Sequence, residues 1–133
     1  MANITDEMRM FFEEQRDPKM IFIGTCDKNG IPNVAAKGVF VKLLDTETLV
    51  YADVYSVKTL ENVLANPKIA IAIINAKTFK GYQFKGTAEV VKEGPLLEAA
   101  KKATLPQLPS VTVVKIEAVY LMDYGHEAGK KLI

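Results

Sequence analysis

A chain of 133 residues, 49% of them hydrophobic, has the length of one globular domain over residues 1–133 and enough apolar material for a packed core. Seventeen basic against sixteen acidic residues give a formal charge of +1, without the basic surplus that nonspecific binding to nucleic acid or an anionic membrane requires. Cys26 is the only cysteine, which excludes an intrachain disulfide; with the acid-bearing start MANITDEMRM and only strand-sized apolar runs, the expectation is a cytoplasmic protein with no export or membrane segment.

Thr5 opens a short amphipathic helix with Met8, Phe11 and Phe12 on one side, and Arg16, Asp17 and Pro18 end it. Residues 20–25 read as a strand. Asp27, Lys28, Asn29 and Gly30 form a turn whose Asn-Gly pair supplies positive φ angles, so a hairpin follows, with its second strand over residues 33–43. Asp45, Thr46 and Glu47 turn the chain into a third strand, residues 48–53. After a helix that ends at Asn66 and Pro67, residues 69–74 are apolar at almost every position, as in a strand buried on both faces. Residues 81–91 form a long strand in which Gly86 marks a bend or bulge. Gly94 and Pro95 open another helix, closed before Pro106 and Pro109, and residues 111–122 form the last strand, followed by the polar surface tail YGHEAGKKLI. Six strands, mostly joined by tight turns, with two or three short helices predict a mainly β fold: a six-stranded antiparallel barrel with helical covers.

The most informative stretch is LVYADVYSVKTLENVLANP, where a short apolar strand breaks into a polar loop and the loop opens a helix. Leu60, Val63 and Leu64 recur on one helix face, and Ser56, Lys58 and Thr59 stand at the helix start. Unpaired backbone N–H groups, the positive end of the helix dipole, two hydroxyls and one ammonium suit a phosphomonoester. The same residues also suit a plain helix cap with a solvated lysine. Taken alone, the loop favours the cap, the commoner fate of such residues.

Other chemistries find little support. His126 is the only histidine, in a glycine-bracketed tail, with no cysteine or histidine cluster at metal-ligand spacing. The chain has no GxxxxGK[ST] loop and no GxGxxG after a strand, which argues against nucleotide hydrolysis and Rossmann-type dinucleotide binding. Glu13 and Glu14 fit a solvated helix face better than acid–base catalysis.

The order of these elements, the turn around Gly30-Ile31-Pro32, the segment YADVYSVKTLENVLANPKIAI and the strand GYQFKGTAEV resemble the FMN-binding split-barrel family related to pyridoxamine 5'-phosphate oxidase, above all its small FMN-binding proteins. The resemblance covers about residues 20–122. It implies a six-stranded split barrel that forms a homodimer with FMN bound across the interface. Ser56, Lys58 and Thr59 match the family's phosphate loop, and Lys37 lies on the strand that supplies a further basic or polar phosphate contact. Tyr51, Ala52, Asp53 and Val54 match the segment whose backbone runs along the flavin ring. Gly81, Tyr82 and Gln83 match a strand start near the flavin, sometimes contributed by the partner subunit. No side chain is assigned a catalytic role, because FMN carries the redox chemistry. Authentic pyridoxamine 5'-phosphate oxidases carry an arginine-rich C-terminal segment, whereas this sequence has no arginine after Arg16, which argues against that activity. The expected function is a small FMN-dependent reductase or electron carrier. The alternatives are a non-enzymatic module for FMN storage or haem, and a reductase using F420.

Overall fold

Thr5 caps the first helix, α1 (Asp6–Glu13), its hydroxyl accepting the Met8 amide at 3.2 Å, in a computed structural model that describes residues 2–38 and 40–133. Asp6 and Glu7 lie in the first turn, where the helix dipole favours negative charge. The helix turns Met8, Phe11 and Phe12 onto the barrel core, and Phe11 meets Tyr82 edge-on with ring centroids 5.2 Å apart.

Seven strands follow: β1 (Lys19–Cys26), β2 (Pro32–Lys37), β3 (Val41–Leu43), β4 (Thr48–Ala52), β5 (Lys68–Asn75), β6 (Gly81–Val91) and β7 (Val111–Leu121). Two helices interrupt them, α2 (Val57–Ala65) and α3 (Pro95–Ala103). The strands form one antiparallel sheet in the order β2-β1-β5-β6-β7-β4-β3, curled into a split barrel. The β1–β2 turn forms where its sequence predicts, with Gly30 rather than the Asn-Gly pair supplying the positive φ. The Asp27 carboxylate accepts the amides of Asn29 at 2.8 Å and Ile31 at 2.9 Å, and Gly30 takes φ 82°.

Two expectations need correction. The single strand over residues 33–43 is two strands, making seven rather than six; Val39, within that range, lies outside the described residues. Phe40 has φ 51°, a left-handed conformation that interrupts a pleated run, and β2 and β3 lie at opposite edges of the sheet. The chain therefore leaves one edge and joins the other, bridging the seam of the barrel. The second correction concerns β5, which alternates instead of being buried on both faces: Ile69, Ile71 and Ile73 are buried, while Ala70, Ala72 and Ile74 are half-buried on the outer face.

Gly86 marks a bulge, as its sequence position suggests, with the β6–β7 register shifting between Lys85 and Gly86. A Cβ at Gly86 would lie 2.0 Å from the Lys115 carbonyl oxygen, so the close approach of β7 requires glycine there. The C-terminal residues are less detached than a polar tail suggests. Lys131 bridges to Tyr120, and the Leu132 amide donates to the Val119 carbonyl at 2.8 Å.

The core has two parts. Inside the barrel, Ile23, Leu49, Tyr51, Val63, Ile71, Ile73, Phe84, Val114 and Ile116 pack together. On the outer side of β4 and β7, Val50, Ala52 and Val111 meet Leu97 and Ala100 of α3, together with Leu108. The second cluster explains why β4 is buried at every position: one face looks into the barrel and the other is covered by α3. Among the described residues, no helix is long and apolar enough to cross a membrane.

Candidate functional site

β4 ends at Ala52, and the chain turns through Asp53, Val54, Tyr55 and Ser56 into α2. Tyr55 has φ 52° and its side chain is 91% exposed, so the backbone makes an abrupt left-handed step just before the helix. Ser56 occupies the N-cap position, yet its side chain makes no capping hydrogen bond. The first intrahelical bond runs from the Leu60 amide to the Ser56 carbonyl at 2.9 Å, which leaves the amides before Leu60 outside the helical ladder. The plain cap suggested by the local sequence is therefore not what Ser56 provides.

Its hydroxyl instead accepts a hydrogen bond from Lys37. Lys37 ends β2 and reaches across the seam of the barrel, donating to the carbonyls of Ala52 at 3.4 Å and Val54 at 3.3 Å as well. These three acceptors match the three protons of the ammonium. The ammonium also stands 5.4 Å from the centroid of the Tyr51 ring. Burial pushes the Lys37 pKa down, and the nearby Asp53 carboxylate opposes that shift.

Asp53 is 2% exposed and turns into the protein. Its carboxylate accepts from the Ser110 hydroxyl at 2.6 Å and from the Thr112 hydroxyl at 3.0 Å to each oxygen. Its own amide donates to the Ser110 carbonyl at 3.1 Å. Burial raises the Asp53 pKa, opposed by the two hydroxyls and by Lys37. Tyr51 is fully buried beside this cluster, with its hydroxyl unpartnered, and burial pushes the phenol pKa up.

The structure thus brings Lys37, Tyr51, Asp53 and Ser56 together, with Ala52 and Val54 contributing carbonyls. It treats the remaining sequence candidates differently. Lys58 is exposed beside the same helix start and pairs with Glu61 at 3.5 Å. Thr59 is 2% exposed, so its hydroxyl is buried rather than offered at the surface. The Ala52 amide donates to Phe40 and the Asp53 amide to Ser110, which commits much of the backbone of that segment to the protein itself. Gly81, Tyr82 and Gln83 lie elsewhere. Along β7, Val111 stands beside Ala52 and Leu121 beside Tyr82, a separation of roughly 30 Å at ~3.3 Å per residue. The Gly81 amide donates to Asp123, and the Gln83 amide group to the Met122 sulfur. Ser110 and Thr112 escaped the sequence reading; a hydroxyl at the start of a strand carries no local signal, and only the pairing of β4 with β7 sets them against Asp53.

A pocket of about 300 Å³ adjoins the loop, lined by Asp53, Val54, Tyr55, Ser56, Val57, Leu60, Leu105, Gln107 and Pro109. A larger one, about 660 Å³, lies against the C-terminal segment between Phe79, Met122, Tyr124 and His126. Its lining has no lysine or arginine and includes the Asp123 carboxylate, so it offers a phosphate poor electrostatics despite its size.

Comparison with known proteins agrees with this architecture. The sequence model of the pyridoxamine 5'-phosphate oxidase family matches residues 4–123. An uncharacterized protein of Methanocaldococcus jannaschii is 40% identical over 137 residues, covering 98% of this chain and 88% of that one. The crystal structure of HupZ from Group A Streptococcus is 32% identical and superposes with a TM-score of 0.77, covering 95% of this chain and 99% of HupZ. An FMN-binding protein from Syntrophomonas wolfei shares the fold at 18% identity, with a TM-score of 0.76 over 91% of this chain and 87% of its own. With the family model spanning nearly all of the barrel and a 40% identical relative along its length, this chain belongs to the pyridoxamine 5'-phosphate oxidase family.

Proposed function

We propose that this protein is an FMN-binding flavoprotein, a small cytoplasmic reductase or electron carrier whose single domain holds FMN at the interface of a homodimer. The observation that carries the reading is the donor set at the β4–α2 loop. Ser56 accepts from Lys37 and spends its own proton only on a long bond to the Val54 carbonyl at 3.5 Å, which a phosphate oxygen can replace; the amides at the start of α2 lie outside the helical ladder, and Lys58 adds a second ammonium at the surface. These groups fit a phosphomonoester, which carries about two negative charges near neutral pH. FMN, when bound, supplies the electron-transfer chemistry. The protein's share is to hold the phosphate with Ser56 and Lys58, with the Lys37 charge placed behind Ser56, and to place the ring against the loop.

The second subunit is supported by two features. The outer face of β2, β1 and β5 is built from small and apolar residues: Phe22 stands between Ala36 and Ala72, and Gly24 between Val34 and Ala70. Val34 is 71% exposed in the single chain, so an apolar face lies open for another copy. Gln83, far from the loop within one chain, reaches a flavin site only if a partner supplies it.

The test is the visible spectrum of the purified or reconstituted protein together with mass analysis of the released ligand. The expected result is a yellow protein with one FMN per chain and much weaker riboflavin binding. Equal affinity for riboflavin would overturn the phosphate assignment, and binding of haem or F420 in place of FMN would replace the cofactor. For the redox role, bound FMN should be reduced by a chemical donor and reoxidised by an acceptor. Stopped-flow absorbance with NADH and NADPH would test for a donor, with rapid oxidation of pyridoxamine 5'-phosphate as the contrary outcome.

A further inference from the structure

Beneath the β4–α2 loop lies a support that makes no contact with the phosphate position itself. Asp53 is bound to the start of β7 at three points: its amide to the Ser110 carbonyl, and its carboxylate to the hydroxyls of Ser110 and Thr112. The carbonyls on either side of it, those of Ala52 and Val54, are two of the three acceptors around the Lys37 ammonium. A carboxylate held between two strands thus fixes the stretch of backbone that forms the cage around Lys37. Asp53 also opposes the desolvation that pulls a proton from Lys37.

We propose that Asp53 is a positioning residue: anchored by Ser110 and Thr112, it holds the Ala52 and Val54 carbonyls in place and keeps Lys37 charged, so that Lys37 and the hydroxyl it polarises on Ser56 stand ready for a phosphate. This rests on the phosphate reading above. It gives Asp53 a role through its buried side chain rather than through its backbone along a flavin ring. Charged and titratable groups converge on the cluster from three elements: Lys37 at the end of β2, Tyr51 from β4 with Asp53 just beyond it, and Lys58 from the exposed start of α2. β7 and its lead-in add only the neutral hydroxyls of Ser110 and Thr112. The opposing charge on Asp53 weakens the bare attraction for an anion. The compensation is a lysine that stays protonated and correctly placed in a site where burial alone would favour its neutral form.

The experiment measures FMN and riboflavin affinities between about pH 8 and 10, where the ligand phosphate is essentially fully ionised, for the wild type, Asp53→Asn and Ser110→Ala. Asp53→Asn keeps the shape and removes the charge. It should weaken FMN at least about tenfold relative to riboflavin, and the pH at which FMN affinity falls should move down, because Lys37 loses the buried counter-charge beside it. Ser110→Ala keeps the charge and loosens the anchor. It should weaken FMN severalfold, leave riboflavin unchanged and shift the pH profile less. A direct titration of the Lys37 ammonium by NMR in the ligand-free proteins should give the same order, with the lowest pKa in Asp53→Asn. An Asp53→Asn protein that keeps both the wild-type FMN-to-riboflavin ratio and the wild-type Lys37 titration overturns the proposal. Equal wild-type affinity for FMN and riboflavin would instead defeat the underlying phosphate reading, while the Lys37 titration would still decide whether Asp53 governs the lysine.

Discussion

Lys37 and Lys58, both assigned to the proposed phosphate site, sit in very different surroundings. Lys37 is caged by three acceptors and stands over an aromatic ring, so its charge is delivered at one place with its side-chain entropy already spent. Lys58 is half exposed, at 52%, and shares its charge with Glu61 and with solvent. Lys37→Met should therefore weaken FMN by at least about tenfold with little effect on riboflavin, as measured by flavin fluorescence quenching. Lys58→Ala should cost less, and Lys28→Ala, in the β1–β2 turn, nothing measurable. An equal loss from all three would reduce the effect to net charge. At this scale the sequence disclosed Ser56, Lys58 and Thr59, because helix starts have local signatures. It could not disclose that Thr59 is buried, or that the Asp53 side chain faces β7, since both follow from packing between elements distant along the chain.

Among the elements, α1 is held to the barrel by Lys19, which donates to the Glu14 carbonyl at 2.5 Å and to its carboxylate at 3.0 Å. The Lys19 ammonium, with the Arg16 backbone and side chain, holds the Glu14 pKa down from 4.5 to about 2. A depressed carboxylate stabilises the fold while ionised, and that contribution is lost as the pH falls from about 4.5 through about 2. Glu14→Gln should thus be less stable than the wild type at pH 7, and the gap should close through that window in urea titrations. A gap independent of pH would mean that the loss is one of packing. The β6 bulge makes a sharper demand. Gly86→Ala would drive a Cβ against the Lys115 carbonyl, and β6 and β7 are the longest pair in the sheet, so the expected cost is about 1–3 kcal/mol by chemical denaturation. The bulge was legible because a glycine inside a strand pattern has few other uses. The break at Phe40 was not, because residues 33–43 keep a strand-like composition across it, and only closure of the sheet forces the chain to change edges.

For the whole molecule, the proposed dimer and the proposed ligand site are thermodynamically one system. If the partner supplies Gln83 to a flavin held at the β4–α2 loop, FMN must strengthen the dimer by the same factor by which dimerisation strengthens FMN binding. Sedimentation of ligand-free and FMN-loaded protein over a concentration series should show this coupling, and Gln83→Ala should diminish it. A monomer with undiminished FMN affinity would refute the shared site. Saturation at about 100 times the dissociation constant should also stabilise the native state by roughly 2.7 kcal/mol, visible as a raised melting temperature. The sequence by itself determined the succession of the helices and of the strands other than the β2–β3 break, the hairpin turn at Gly30, the bulge at Gly86 and the polar break before α2, because each is written in neighbouring residues through periodicity, turn chemistry and helix-start composition. Only the tertiary structure decided that the barrel has a seventh strand across its seam, that β5 is buried on one face, and that Lys37 is caged over Tyr51 while Asp53 is clamped by Ser110 and Thr112. Those features come from contacts between segments distant along the chain, β5 against β1 and β6, β4 against β3 and β7, and the end of β2 against the β4–α2 loop, which depend on how the whole sheet curls and have no local trace in the chain.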